Sequence, residues 1–253
     1  MLNLRVAPHV RHHSGDHGGV IILDAAKGQW LALNATAGDF WRVWSAGGDL
    51  EEGVRVVADR HPSISPERVR TDAERLVNEL VGRGLLVIGV TSAGNVAPPS
   101  PRPLPSTTGD ETVMAESAVP SALWHVRWGR RGLAFCVLAV TCLVVRCSSF
   151  RIQLALVGGA RRLGRRTAMF EEATEVVAAV GWAVRYYPGR AACLEQSLAA
   201  VLLAAAAGRQ LDWWLGALTD PYRFHAWVEV EGRPIPAVAD PRSLPGYIRL
   251  LSA

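Results

Sequence analysis

Apolar positions near the start of the chain fall in short, strand-like runs. Residues 5–12, 19–23 and 30–34 are short runs of this kind, bounded by Gly or Asp, and they read as strands. Residues 24–28 between the last two form a five-residue hairpin turn ending in Gly28. The spacing then becomes that of helices. Thr36 can cap a segment that runs to Ser45 and stops at Gly47 and Gly48. Residues 50–60 form a second helix, ended before Pro62. Ser65-Pro66-Glu67 opens a third, with Ser as N-cap, Pro at the first helical position and an acid in the first turn. That helix carries Val69, Leu76, Val77 and Leu80 on one stripe, and residues 85–90 follow as a last strand. Strands, three helices and a closing strand predict a small winged-helix-like domain over residues 1–90.

Residues 91–120 break every pattern. Pro98, Pro99, Pro101, Pro103, Pro105 and Pro120 fix φ and remove donors, so this stretch reads as a semi-rigid linker. Beyond it, residues 121–253 begin helical, over 124–145, 152–163, 170–182 and 193–207. The last of these places Leu194, Leu198, Val201, Leu202 and Ala205 on one face and stops at Gly208. Strands follow over 211–218 and 225–231. Helices first and strands later predict an α+β domain.

With 253 residues, 49% hydrophobic and 20% charged, the chain is neither disordered nor a coiled coil. A formal charge of +4 does not demand a nucleic-acid partner. On the third helix, Arg68, Arg70 and Arg75 are offset by Glu67, Asp72, Glu74 and Glu79, which leaves no positive face for phosphates. The four cysteines form no CxxC pair, so a disulfide framework or zinc ribbon is not expected. His9, His12, His13 and His17 read as solvated rather than metal-binding. There is no HExxH and no phosphate-loop motif, and no metal or cofactor is expected. The apolar run 133–145, closed by Arg146, is shorter than the roughly 20 residues a spanning helix needs. It reads as a buried helix, with membrane-surface contact as the alternative, and without stable membrane insertion. The run Arg161-Arg162-Leu163-Gly164-Arg165-Arg166 reads as a solvated helix end, with contact to a partner protein as the sharper alternative. No apolar stretch of signal length lies in the first 13 residues, so the expected location is the cytoplasm.

Cys193 stands apart from Cys136, Cys142 and Cys147, which read as core filler of the apolar run. It follows the turn Tyr186-Tyr187-Pro188-Gly189-Arg190 and opens a helix. There the dipole lowers a thiol pKa, and unpaired N–H groups can hold an oxyanion. His225 heads the alternating strand His225-Ala226-Trp227-Val228-Glu229-Val230, after the loop 220–224. A cysteine on a helix and a histidine on a strand are the elements of a thiol nucleophile and its base. A third polar group should orient the imidazole, and Asp240 is the nearest downstream carboxylate. The plain alternatives are a small residue at a helix start and a half-buried strand histidine bonded to backbone. Glu229 shares a strand face with His225 but lies about 13 Å along it, too far to bond the imidazole.

Arg190-Ala191-Ala192-Cys193-Leu194-Glu195-Gln196-Ser197-Leu198, followed by His225-Ala226-Trp227-Val228-Glu229-Val230-Glu231-Gly232, resembles the transglutaminase-like (papain-like) cysteine proteases of lasso-peptide biosynthesis. The resemblance implies Cys193 as nucleophile and His225 as base. Family members usually place the triad aspartate about twelve residues after the histidine. Ala237 stands there in this chain, and Asp240 three residues later.

Val20-Ile21-Ile22-Leu23-Asp24, the strand Gln29-Trp30-Leu31-Ala32-Leu33 and the helix opening at Thr36 and Gly38 with Phe40, Trp41 and Trp44 resemble the PqqD-like recognition element. That module binds leader peptides in pathways to ribosomally made, modified peptides. Leader capture is then expected by strand addition along Gln29, Trp30, Leu31, Ala32 and Leu33, with the third helix as the other wall. The resemblances together imply a leader peptidase that binds a precursor peptide and cleaves the leader from the core. They also imply an asparagine-synthetase-like lactam synthetase as partner. A non-catalytic leader-binding scaffold and a winged-helix regulator are the alternative readings.

Overall fold

The computed structural model describes residues 3–15, 17–89, 128–219, 222–236 and 247–252. The proline-rich stretch 91–120 lies outside the described residues. Two strands, β1 (Asn3–Val6) and β2 (Val10–Ser14), stand where the sequence predicts one over residues 5–12. Pro8 falls between them, where a fixed φ and a missing donor interrupt the ladder. β2 pairs antiparallel with β3 (Val20–Asp24), and β3 with β4 (Gln29–Leu33), in the register Leu31↔Ile22. Being central, β3 is buried along its whole length, while β2 and β4 are the edges of this sheet. The β3–β4 turn is set by Asp24 and Gly28. Asp24 Oδ1 accepts from the backbone N–H groups of Ala26 and Lys27 at 2.9 and 3.0 Å, and Gly28 adopts φ +69°.

Three helices follow: α1 (Ala35–Ser45), α2 (Leu50–Arg60) and α3 (Pro66–Gly82). Asn34 caps α1 rather than Thr36. Its Oδ1 accepts the Ala37 N–H at 2.9 Å, and Asn at the strand's end is the stronger cap. Asp49 and Ser65 cap α2 and α3 in the same way. β5 (Leu86–Gly89) returns to pair antiparallel with β1. Trp41, Trp44, Phe40, Val20, Ile22 and Leu80 form the core, with the Phe40 and Trp44 rings stacked at 5.2 Å.

The chain divides into two compact units, Met1–Pro101 with Thr219–Tyr222, and Arg102–Leu218 with Arg223–Ala253. In the second, α4 (Trp128–Cys147) and α5 (Phe150–Leu163) precede a two-residue strand β6 (Arg166–Thr167), α6 (Phe170–Tyr186) and α7 (Cys193–Ala206). α7 packs on α4, α5 and α6 and is buried over most of its length. β7 (Arg209–Gln210) pairs parallel with β6. Glu172, in the first turn of α6, ties this pair together. It binds Arg166 at 2.7 and 2.9 Å and Arg209 at 2.6 Å, and accepts the Met169 N–H at 3.0 Å. An antiparallel sheet closes the unit. It contains β8 (Asp212–Thr219), β9 (Tyr222–Val230), β10 (Arg233–Pro234) and β11 (Ile248–Ser252), in the order β10-β9-β8-β11.

Two further expectations change. The run 133–145 is not a fully buried helix: Ala134, Leu138, Thr141 and Cys142 face the core, but Leu133, Val140 and Leu143 face solvent. For the same reason only Cys142 is core filler; Cys136 and Cys147 lie on the open side of α4. Among the described residues no helix is long and apolar enough to cross a membrane.

Candidate functional site

Cys193 is the first residue of α7 and is partly exposed. The chain reaches it through a clamped turn. Tyr187 ends α6 because the residue before a proline avoids the helical region. Each of the next three main-chain groups before Cys193 is then held from outside the turn. Arg146, at the end of α4, donates Nη2 to the Arg190 carbonyl at 3.0 Å. Gln196 Nε2 donates to the Ala191 carbonyl at 2.8 Å, and the Ala192 N–H donates to Glu195 Oε2 at 3.0 Å. Glu195 is one half of a capping box. Ala192 supplies no side-chain acceptor for the other half, so the first-turn N–H groups of α7 keep their capacity to bind an anion.

Cys142 behaves differently. It is fully buried in the core. Burial pushes its thiol up, and the nearby Glu195 carboxylate acts in the same direction.

His225 is the fourth residue of β9, not its head. Tyr222, Arg223 and Phe224, read from sequence as loop, extend the strand. His225, Trp227 and Glu229 share one face of β9, while Ala226, Val228 and Val230 are buried on the other. The His225 and Trp227 rings lie within 11° of parallel at 6.2 Å, and Tyr247 approaches His225 at 5.7 Å. Trp227 Nε1 donates to Glu229 Oε1 at 2.7 Å. Arg249 of β11 completes the group, donating to both carboxylate oxygens at 3.0 and 2.6 Å. Glu229 is therefore a buried structural ion pair. On β8, Trp213 Nε1 donates to Ser197 Oγ at 2.9 Å and so ties the sheet to α7. Ser197 is one turn after Cys193 and on the same helix face. Gly216 lies under Trp227: a Cβ there would overlap the Ile248 carbonyl oxygen and come within 2.5 Å of the Trp227 ring. The structure thus places Cys193 and His225 in one unit, on α7 and on the sheet that Trp213 joins to it. Asp240 lies outside the described residues.

Sequence reading missed Tyr247 and Arg249, because β11 joins the sheet far along the chain. It also missed the three clamps. Trp227 was within reach of the two-residue alternation.

In the first unit, β4 presents an edge. Leu31 and Leu33 turn into the core, and the main chain of β4 runs along the edge of its sheet. Beyond the end of β4 a cavity of about 570 Å³ opens between the starts of α1 and α3. Phe40 and Ile64 supply its apolar lining, and Asn34, Ser65, Arg68 and Asp72 its polar lining. Arg70, on the same helix, is held by Glu51 at 2.5 Å, whereas Arg68 and Asp72 make no ion pair among the described residues. His12 lies in β2 with its ring edge-on to Trp41 at 5.4 Å, so it is not part of a solvated tail. Among the described residues no three His, Cys, Asp or Glu side chains group as metal ligands.

No curated protein matches this chain. A solved structure described as "TbiB1 in Complex with the TbiA(beta) Leader Peptide" is similar at 22% identity, with a TM-score of 0.32. The match covers 35% of this chain and 99% of that one. Residues 19–86 match the family of coenzyme PQQ synthesis protein D, and residues 136–251 match the transglutaminase-like superfamily. The chain joins a PqqD-type domain to a domain of the transglutaminase-like superfamily.

Proposed function

We propose that the chain is a leader peptidase of lasso-peptide biosynthesis. One observation carries this reading: a PqqD-type domain with an open strand edge is joined to a transglutaminase-like domain with a cysteine at the first position of a helix. The leader adds as a strand to β4, where main-chain groups give affinity, and runs on into the cavity beside Arg68 and Asp72. Cys193 Sγ attacks the scissile carbonyl while His225 takes the thiol proton, and the first-turn N–H groups of α7 hold the oxyanion. His225 returns the proton to the departing amine, and water then hydrolyses the thioester. Asp240 is assigned to orient the imidazole. The amine freed on the core peptide is the group an asparagine-synthetase-like lactam synthetase would acylate, so such an enzyme is the proposed partner, with both working in the cytoplasm. No cofactor enters these steps.

The test is cleavage of a leader-bearing precursor by the full chain. Cys193→Ala abolishes cleavage and leaves leader affinity unchanged, because capture and chemistry use different domains. Cys142→Ala keeps most of the activity. A cleaving Cys193→Ala enzyme alongside a dead but folded Cys142→Ala enzyme would sink the nucleophile assignment. Leader binding without cleavage by the wild type would favour the scaffold reading.

A further inference from the structure

From Trp128 to Phe170 the sequence holds eight arginines and not one Asp or Glu. This single-signed stretch comprises α4, α5 and the connection to α6. It is also where large apolar side chains stand in solvent: Val140 is 57% exposed, Leu143 62%, Ile152 50% and Leu163 71%. On α5 the open residues Ile152, Ala155 and Arg162 recur at helical spacing, so they form one outward face. Arg151 and Ile152 stand at one end of that face, and Arg162 and Leu163 at the other. Arg161 is held by Asp212 at 3.3 Å and Arg166 by Glu172 at 2.7 Å. Arg151, Arg162 and Arg165 are exposed and make no ion pair among the described residues.

We infer that the outer face of α5, with the end of α4, docks on an anionic lipid surface. An aliphatic strip between unpaired cations fits a bilayer interface, where acyl chains take the apolar side chains and acidic headgroups take the guanidinium groups. A phosphodiester backbone would use the arginines and leave Leu143, Ile152 and Leu163 in water. A protein surface mixes both signs of charge and would leave a face without carboxylates half-complemented. The contact is peripheral, since no described helix is long and apolar enough to cross a membrane. It does not depend on the peptidase reading.

Co-sedimentation of the full chain with vesicles tests this. The chain should pellet with phosphatidylcholine vesicles that contain phosphatidylglycerol, should remain in solution with phosphatidylcholine alone, and should be released by high salt. Arg151→Gln and Arg162→Gln should each weaken partitioning about fivefold, equivalent to about 1 kcal/mol per arginine at the surface. Ile152→Glu and Leu163→Glu should each weaken it on the order of tenfold or more. All four positions are exposed, and an unchanged circular dichroism spectrum confirms that the variants fold. Equal binding to neutral vesicles, no binding to acidic ones, or variants that bind like wild type would each overturn the proposal. So would binding to poly-L-glutamate that Leu163→Glu leaves intact, which would mark an acidic-protein site. If Leu163→Glu changes the oligomeric mass rather than the partitioning, the face joins two copies of the chain and the lipid assignment falls.

Discussion

Trp227 donates its indole N–H to Glu229 at 2.7 Å, two residues along the same strand, and so ties the ring stacked on His225 to a buried ion pair. Arg249 holds both oxygens of that carboxylate and also donates to the Gly232 carbonyl at 3.1 Å. His225 in β9 is thereby linked to β11 through three side chains. A charge removed from this group leaves its partner buried and uncompensated.

Glu229→Gln should therefore lower stability, on the order of 3 kcal/mol, as read from urea unfolding. Because Glu229 lies too far along the strand to bond the imidazole, the substitution should change cleavage little. The structure adds a stability effect, which separates from catalysis if cleavage is measured well below the unfolding midpoint. Glu229→Leu combined with Arg249→Leu should be milder than either alone. A double variant less stable than both singles would show that the charge pair itself, rather than its desolvation, dominates.

Gly216→Ala should destabilise by about 1–3 kcal/mol, because a methyl group must displace either the Ile248 backbone or the Trp227 ring. Its near-ultraviolet spectrum should change at the tryptophan bands. Wild-type stability and an unaltered tryptophan signal would mean that β11 moves aside at no cost.

Glu172 gives the second domain an acid limit. Its hydrogen bond with Arg166, then the Met169 N–H and Arg209, hold its carboxyl at about 2, below its ordinary 4.5. A carboxyl held down in the folded state stabilises fully above its ordinary value, and this is lost as pH falls through the folded one. The gap in melting temperature between wild type and Glu172→Gln should hold from neutral pH to about 5 and close on descent toward pH 2. A gap that is independent of pH would show that the residue acts by packing alone.

Arg68 lines the cavity beyond β4 without an ion-pair partner among the described residues, so its removal should not unfold the domain. Arg68→Glu should weaken leader binding about tenfold with an unchanged melting temperature. Leu31→Pro would be a poor probe of strand addition, because Leu31 packs into the core. Full leader affinity in Arg68→Glu would place the leader elsewhere along the edge.

Much of this architecture was legible in local signals. Ser65-Pro66-Glu67 announces α3, and the Asp24–Gly28 turn announces the β3–β4 hairpin, because caps and tight turns are decided by a few neighbouring residues. Partners distant in sequence were not legible. β6 and β7 are two residues long, too short for any period to register, and β11 is found only by the strand it joins. The open side of α4 was hidden for a different reason: an apolar helix reads as buried whichever of its faces has neighbours. Around Cys193, the chemistry could be read from residue types, but the clamps from Arg146, Gln196 and Glu195 could not, because two of their three targets are carbonyl oxygens and the third a backbone N–H.

That choice of targets bears on how the protein can vary. Arg190, Ala191 and Ala192 are each held by the main chain alone, so their side chains carry none of the positioning of Cys193. The three positions are free to drift, with the exception of proline at Ala192, which would delete a donor. The constraint is displaced onto Arg146, Glu195 and Gln196, whose side chains do the holding. Variation among relatives should thus be permissive in the tripeptide beside the thiol and restrictive at these three positions, one of them 47 residues upstream of the cysteine.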